Sequence, residues 1–185
     1  MPFQHLTSRS SGSGNPFFGK WNITDPTGVG IDGLGGVQAI RFRPDGSIAD
    51  AYTILRGSRS NCAGGVTPWG TWLSCEEVDD PLDAANSGRV FEGDPTGKRP
   101  AVDRPAMGRF SHENAAVDPV DRRIYLTEDQ GDGFLYRFTP SRWPDLADGV
   151  LEAARLDGES VTWVEIPDPD CRRGVPCRRQ AEATR

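Results

Sequence analysis

Short runs of alternating apolar and polar residues, separated by turn-forming residues, recur along most of the chain. Neighbouring side chains on a strand point to opposite faces, so this period of two predicts strands. The predicted strands cover residues 37–43, 48–55, 69–73, 88–92, 115–117, 123–127, 134–138 and 161–166. Gly, Pro and Asp residues between them predict tight turns. Strands spaced about ten residues apart predict an all-β fold, which is a sandwich, a barrel or a propeller.

The remaining stretches are predicted from their composition. Residues 141–156 form the only plausible helical stretch, although Pro144 and Gly149 weaken that prediction. A glycine-rich loop is expected at residues 24–36 and a polar loop at residues 167–185. Ser and Gly repeats predict a flexible lead-in at residues 1–20, and residues 21–185 are then the folded domain.

Charge and hydropathy exclude several classes of partner. The net charge is -6 and the pI is near 5.0, which disfavours non-specific binding to nucleic acid. No run approaches the roughly 20 apolar residues that span a bilayer, so no membrane partner is expected. Residues 1–20 lack the apolar stretch of a secretory signal, which leaves the compartment open. The oligomeric state is open as well.

A thiol and two carboxyl groups follow one another at Cys75, Glu76 and Glu77. Gly64 and Gly65 predict a turn before this stretch, and strand alternation places Cys75 and Glu77 on one face. Zinc sites prefer Cys and His, whereas calcium sites prefer oxygen ligands. A thiolate beside carboxylates therefore suits iron, or a mixed-metal cluster, better than either ion alone.

Further acids repeat this arrangement. Glu128 and Asp129 also end a predicted strand, and Glu113 lies before another. Carboxylates that converge repel one another unless cations neutralise them, so convergence would imply metal. The alternative is that each carboxylate is solvated at the end of a loop.

Most of the other candidate residues have more than one interpretation. His112 is a ligand, a general acid or a structural imidazole, and Arg109 either meets an anionic group of a substrate or lies on the surface. Cys62 is expected to be a small buried hydrophobic residue. Cys171 and Cys177 either close a small disulfide loop or remain free thiols.

Four segments of the chain together resemble a known family. They are Asn-Cys-Ala-Gly-Gly-Val-Thr-Pro-Trp-Gly-Thr-Trp-Leu-Ser-Cys-Glu-Glu at 61–77, Gly-Arg-Phe-Ser-His-Glu at 108–113, Tyr-Leu-Thr-Glu-Asp at 125–129 and Gly-Phe-Leu-Tyr-Arg-Phe-Thr-Pro at 133–140. They occur in the order found in PhoX-type alkaline phosphatases. The resemblance extends from about residue 35 to the C-terminus.

The resemblance implies a six-bladed β-propeller that hydrolyses small-molecule phosphate monoesters. It also implies a site with two oxo-bridged Fe³⁺ ions together with Ca²⁺. Cys75 matches the iron-binding thiolate, Glu76 a carboxylate ligand of the same cluster, and Glu113 an iron or calcium ligand. These three would be the catalytic centre. Further matches to metal-site motif positions, with less definite roles, are Glu77, Glu128 and Asp129.

One departure from the family pattern bears on activity. Relatives continue into an Arg-x-Glu-Gly element that supplies a substrate-binding arginine and another metal ligand, and this sequence ends before it. We therefore expect an N-terminal piece of about three blades that is weakly active or inactive alone. Relatives are exported by a twin-arginine signal, which is not visible here. Two alternative functions stay open, a non-catalytic propeller that binds a partner and a calcium-dependent lactonase-like hydrolase.

Overall fold

The computed structural model describes residues 5–6, 19–20, 35–77, 87–172 and 174–183, and it is built almost entirely from antiparallel strands. The strands are β1 (His5–Leu6), β2 (Gly19–Lys20), β3 (Gly35–Phe42), β4 (Ile48–Ser58), β5 (Asn61–Val66), β6 (Trp72–Glu76), β7 (Val90–Gly93), β8 (Val102–Asp103), β9 (His112–Asp118), β10 (Arg123–Glu128), β11 (Leu135–Arg142), β12 (Asp145–Asp157) and β13 (Ser160–Glu165). A 3₁₀ turn spans Pro105–Met107, and a helix, α1, spans Cys177–Ala183.

The strands form four sheets in which neighbours follow one another along the chain. Two of the sheets are strand pairs, β1–β2 and β3–β4. The other two are a four-stranded sheet of β5 to β8 and a five-stranded sheet of β9 to β13. All pairs are antiparallel. The prediction of an all-β fold is confirmed.

Most predicted strands are confirmed to within a few residues, and the misses have physical causes. Gly64 and Gly65, predicted to form a turn, lie inside β5, and the turn comes later, where the Thr67 amide donates to the Thr71 carbonyl at 2.9 Å. The strand predicted to start at Trp69 therefore begins only at Trp72. Glycine suits these positions of β5 because another backbone approaches them closely.

The helix predicted at residues 141–156 is wrong, because this stretch pairs as strand β12 with β11. Leu146, Leu151 and Ala153 are buried by that pairing, which outweighs the weak helical pattern. A Cβ at Gly149 would lie 2.5 Å from the Thr139 carbonyl oxygen, so this position suits glycine in a tight strand pair.

The polar loop predicted at residues 167–185 contains the helix α1 instead. Cys177 and Ala181 are four residues apart, so they share one helix face, and both are buried. Their packing against the core stabilises a helix that is too short to form alone.

One hydrophobic core joins the two large sheets. Leu73 of β6 and Val90 of β7 pack in the same cluster as Ile124 of β10, Tyr136 and Phe138 of β11. Each of these side chains is fully buried. The two sheets are therefore held together by apolar packing as well as by backbone contact.

The backbones of the two sheets approach each other closely at Gly65. A Cβ at this residue would lie 1.8 Å from the carbonyl oxygen of Ala115 in β9. Only glycine fits such an approach. The end of β5 is thereby placed beside the middle of β9.

A buried carboxylate stabilises the outer part of the four-stranded sheet. Glu92 accepts hydrogen bonds from Trp69 Nε1 at 2.7 Å and Thr71 Oγ1 at 2.6 Å. It also pairs with Arg104 through Nε at 2.9 Å and Nη2 at 2.6 Å. Although burial raises the pKa of Glu92, these donors leave the pKa below its ordinary value.

We expect Glu92→Ala to lower the free energy of unfolding by about 3 kcal/mol, because the half-buried Arg104 charge would lose its carboxylate partner. Denaturant unfolding measures this change. The control is Asp121→Ala, which removes an exposed ion pair and is expected to cost within about 0.5 kcal/mol. Equal effects of the two substitutions would contradict the assigned role of Glu92.

Several sequence predictions fall outside the described residues. They are the glycine-rich loop as far as residue 34 and most of the lead-in at residues 1–20. Within the described part of the chain, no helix has the length and apolar character needed to cross a membrane.

Candidate metal centre

Each of the two large sheets has a β-bulge in one of its edge strands, β5 or β9. In β5, Cys62 and Ala63 together oppose the single residue Cys75 of β6, since Asn61 pairs with Glu76 and Gly64 with Ser74. A bulge bends its strand and redirects the side chain of the extra residue. Cys62 is thereby released from the regular alternation of β5.

The bulge in β9 has the same form. Glu113 and Asn114 oppose the single residue Thr127 of β10, since His112 pairs with Glu128 and Ala115 with Leu126. The Asn114 amide donates to Thr127 Oγ1 at 3.1 Å. The bulged residues of the two sheets are therefore a thiol and a carboxylate.

An acidic residue directly follows the partner strand of each bulge. Glu77 follows β6, and its amide donates to the carbonyl of Ser60 at 3.1 Å. Asp129 follows β10, and its amide donates to the carbonyl of Ser111 at 2.9 Å. Each hairpin thus holds the backbone of its terminal acid by one further hydrogen bond.

These side chains converge on one point. Cys62 Sγ lies 3.5 Å and 3.6 Å from the two carboxylate oxygens of Glu113. One ligand atom each of Cys62, Glu77 and Glu113 lies within 4.8 Å of the others, and all three residues are half-buried. We call this group the Cys–Glu–Glu centre.

The electrostatics of the centre favour a cation. Burial raises the pKa of Glu77, and hydrogen bonding to Asp129 and the Glu113 charge raise it further, whereas the Cys62 thiol opposes the shift. Neighbouring carboxylates thus disfavour the charged form of Glu77. A bound metal ion would remove the repulsion between the acids.

The donor set suits a metal of intermediate softness. It joins one thiolate, which is a soft ligand, to carboxylate oxygens, which are hard ligands. Structural zinc sites use Cys and His, and calcium sites use oxygen alone. The residues present therefore fit iron better than either of those ions.

Two pairs of adjacent acids occur at strand ends, Glu76 with Glu77 and Glu128 with Asp129. The first acid of each pair has different surroundings from the second. Glu76 is buried, and its two carboxylate oxygens accept hydrogen bonds from the Arg59 amide at 2.7 Å and the Arg89 amide at 3.1 Å. Burial raises the pKa of Glu76, which these amides partly oppose. The Glu76 carboxylate thus binds backbone groups and lies outside the Cys–Glu–Glu centre.

Glu128 is used in a similar way. Its Oε2 accepts hydrogen bonds from the Phe134 amide at 3.0 Å and from the Tyr136 hydroxyl at 3.2 Å. Burial, followed by the Glu128 charge, raises the pKa of Tyr136 above its ordinary value. In each acid pair, the first residue (Glu76 or Glu128) makes hydrogen bonds within its own sheet. The second residue (Glu77 or Asp129) lies where the two sheets meet.

Three more residues singled out by the sequence are buried. Cys75 is fully buried in the hydrophobic core and is not among the converging ligands. Arg109 is buried, and its Nε donates to the Ser87 carbonyl at 3.1 Å. His112 is fully buried, and its ring centroid lies 3.6 Å from that of Phe110.

The His112 imidazole is neutral under ordinary conditions. Its Nε2 donates to the Gly108 carbonyl at 3.1 Å, and Nδ1 finds no hydrogen-bond partner among the described residues. Burial lowers the pKa of His112 to about 3. This environment is that of a structural imidazole.

Sequence reasoning missed Cys62, which it treated as a buried apolar residue. The two glycines that follow it, Gly64 and Gly65, carried the missing signal. Glycine within a strand marks a bulge or a close backbone approach, and both occur here. A cysteine close to two such glycines is therefore a stronger metal-ligand candidate than its separation from the acids along the sequence suggests.

Comparison with known proteins gives one match. The family model described as alkaline phosphatase PhoX matches residues 35–185. No curated protein and no solved structure matched the chain.

Proposed function

This chain belongs to the alkaline phosphatase PhoX family, and we propose that it serves the hydrolysis of phosphate monoesters through the Cys–Glu–Glu centre. The observation that carries the proposal is the convergence of Cys62, Glu77 and Glu113 at two bulged sheet edges. Phosphate esters are anionic, so a site that hydrolyses them needs fixed positive charge. Acids that hold metal ions provide it indirectly.

We propose Fe³⁺ as the ion held by Cys62, Glu77 and Glu113, with Cys62 in place of Cys75 as its thiolate ligand. Asp129, in hydrogen-bond contact with Glu77, would share in holding a second ion, for which Ca²⁺ suits an oxygen-only environment. Bound cations would polarise the ester and neutralise charge that develops on the phosphoryl oxygens.

The other sequence candidates have supporting roles in this proposal. Glu76 and Glu128 fix the backbone on either side of the centre through the hydrogen bonds described above. Arg109 and His112 support the loop that leads into β9 rather than contacting substrate. The chain's own contribution is therefore to hold Glu113 and Cys62 in place and to limit water at the half-buried centre.

We also propose that the two large sheets are blades of a propeller. Both are antiparallel sheets whose strands follow one another in chain order, as propeller blades are. Strand ends from adjacent blades face a common channel in that architecture, and the Cys–Glu–Glu centre lies where strand ends of the two sheets meet.

Metal analysis and a phosphatase assay test the proposal together. We expect the purified chain, incubated with Fe³⁺ and Ca²⁺ and then desalted, to retain iron by elemental analysis and to lose it to a strong chelator. Any hydrolysis of p-nitrophenyl phosphate should require the metals and fall at least about 100-fold after chelation.

The contrary outcomes are distinct. Hydrolysis that survives complete removal of metal would contradict a role for the centre. Iron retained without hydrolysis of the phosphate ester, but with hydrolysis of a lactone, would replace the phosphatase by a lactonase. A chain that retains iron and hydrolyses neither ester would instead be a metal-binding module.

A further inference from the structure

Two cysteines that do not belong to the Cys–Glu–Glu centre lie close to each other. The Sγ atoms of Cys171 and Cys177 are 3.5 Å apart, and no disulfide bond joins them in the structure. Cys177 is fully buried at the start of α1, whereas Cys171 is half-buried. A disulfide bond has an S–S length of about 2.0 Å, so the sulfur atoms need to approach by only about 1.5 Å.

The backbone around the two thiols holds them face to face. The Cys171 amide donates to the Asp168 carbonyl at 3.0 Å, and the Gly174 amide donates to the Cys171 carbonyl at 2.8 Å. Gln180 of α1 bonds both backbone groups of Asp168, accepting from its amide at 2.9 Å and donating to its carbonyl at 2.8 Å. The chain before Cys171 is therefore joined to α1 independently of the thiols.

We propose that Cys171 and Cys177 are a reversible dithiol–disulfide pair that is oxidised by a low-molecular-weight disulfide and that, when oxidised, fastens α1 to the core. Preformed proximity of the sulfur atoms carries this proposal. It is independent of the proposed phosphatase function, since neither cysteine belongs to the Cys–Glu–Glu centre.

The two thiols are unequal, which sets the order of the reaction. Hydrogen bonding from Cys177 lowers the pKa of Cys171 and, despite burial, the Arg109 charge lowers it further. Hydrogen bonding to Cys171 and burial raise the pKa of Cys177. Cys171 is therefore the attacking thiol, and Cys177 is the resolving thiol.

The reaction is a balanced thiol–disulfide exchange. The Cys171 thiolate attacks one sulfur of the oxidant, forms a mixed disulfide and expels one thiolate. That thiolate takes the proton from Cys177, whose sulfur then attacks Cys171 Sγ and expels the second thiolate, which takes up from solvent the proton that Cys171 released when it ionised. The protein loses two hydrogen atoms, and the oxidant is reduced to two thiols.

Peptide mapping tests the proposal directly, because trypsin cleaves after Arg172 and Arg173 and so separates the two cysteines. The native chain is equilibrated with oxidised glutathione, alkylated in denaturant without reductant, and digested. We expect the peptides that contain Cys171 and Cys177 to remain joined until a reductant is added. Cys62 and Cys75 should be recovered in alkylated form, which is the internal control.

A second readout follows the effect on α1. Hydrogen exchange of the amides of α1 should slow at least about tenfold on oxidation, because opening of the helix end requires the thiols to separate. The variant Cys171→Ser should show no such change with oxidant, while reduced native protein and variant should exchange alike.

Three results would overturn the proposal. They are recovery of both cysteines as alkylated peptides, a glutathione adduct on Cys171 that is never resolved by Cys177, and a disulfide that joins either cysteine to another residue. Unchanged exchange of the α1 amides in a chain shown to be oxidised would overturn the fastening of the helix.

Discussion

Replacing Cys62 with alanine should abolish iron binding, because it removes the soft ligand of the Cys–Glu–Glu centre. The Cys62 sulfur lies 3.5 Å from Glu113, so its loss leaves only carboxylates at the site. Loss of an outer partner of a metal ligand costs about 10–100-fold in affinity, and loss of a direct ligand should cost at least about 100-fold. Iron content after desalting and the affinity from metal titration measure this effect.

Cys75→Ala provides the matched control, because it removes the same group one strand away. Cys75 is fully buried in the core, so the substitution should lower the free energy of unfolding by about 1–2 kcal/mol through the cavity it leaves. Iron content should stay close to that of the native chain. Loss of iron in Cys75→Ala with retention in Cys62→Ala would return the ligand role to Cys75.

The second large effect is expected from Gly65→Ala. The new Cβ would lie 1.8 Å from the Ala115 carbonyl oxygen, and backbone cannot move aside as a side chain does. Strands β5 and β9 would have to separate by more than about 1 Å. We expect the free energy of unfolding to fall by about 3 kcal/mol and the affinity for iron to fall with it, because Cys62 and Glu113 lie on those two strands.

Gly131→Ala is the control for a glycine that meets no close neighbour. Nothing lies within 4 Å of a Cβ built at Gly131, so the change in the free energy of unfolding should remain within about 0.5 kcal/mol. Denaturant unfolding and metal titration of both variants check the comparison. Native iron affinity in a folded Gly65→Ala chain would show that the sheet contact does not position the ligands.

Much of the strand pattern was readable from the sequence because most strands have one apolar face. Strand β10, for example, buries Ile124 and Leu126 and leaves Thr127 exposed, which is the alternation that predicts a strand. The stretch at residues 141–156 misled because Ala and Leu favour a helix, whereas pairing with β11 decides its structure. Local propensity loses to tertiary contact there.

Strand alternation places Cys75 on the same face as Glu77, whereas the structure brings Cys62 to Glu77 and Glu113, and this difference has a geometric reason. Alternation was extended from Cys75 to Glu77, although strand β6 ends at Glu76 and every residue of β6 is buried. The two-residue alternation of a strand tells which side chains share a face. It gives no information about residues beyond the end of the strand. The bulge at Cys62 depends on pairing register, which no local pattern specifies.

The order of strands in the sheets has a consequence for how the chain acquires its structure. Hairpins between consecutive strands form within about 1–10 μs, since their contacts are local. Cys62 and Glu113 are 51 residues apart and belong to different sheets, so they meet only after both sheets have formed and docked. Uptake of a metal ion at this site would thus be a late event of folding, and its rate would report on docking of the sheets.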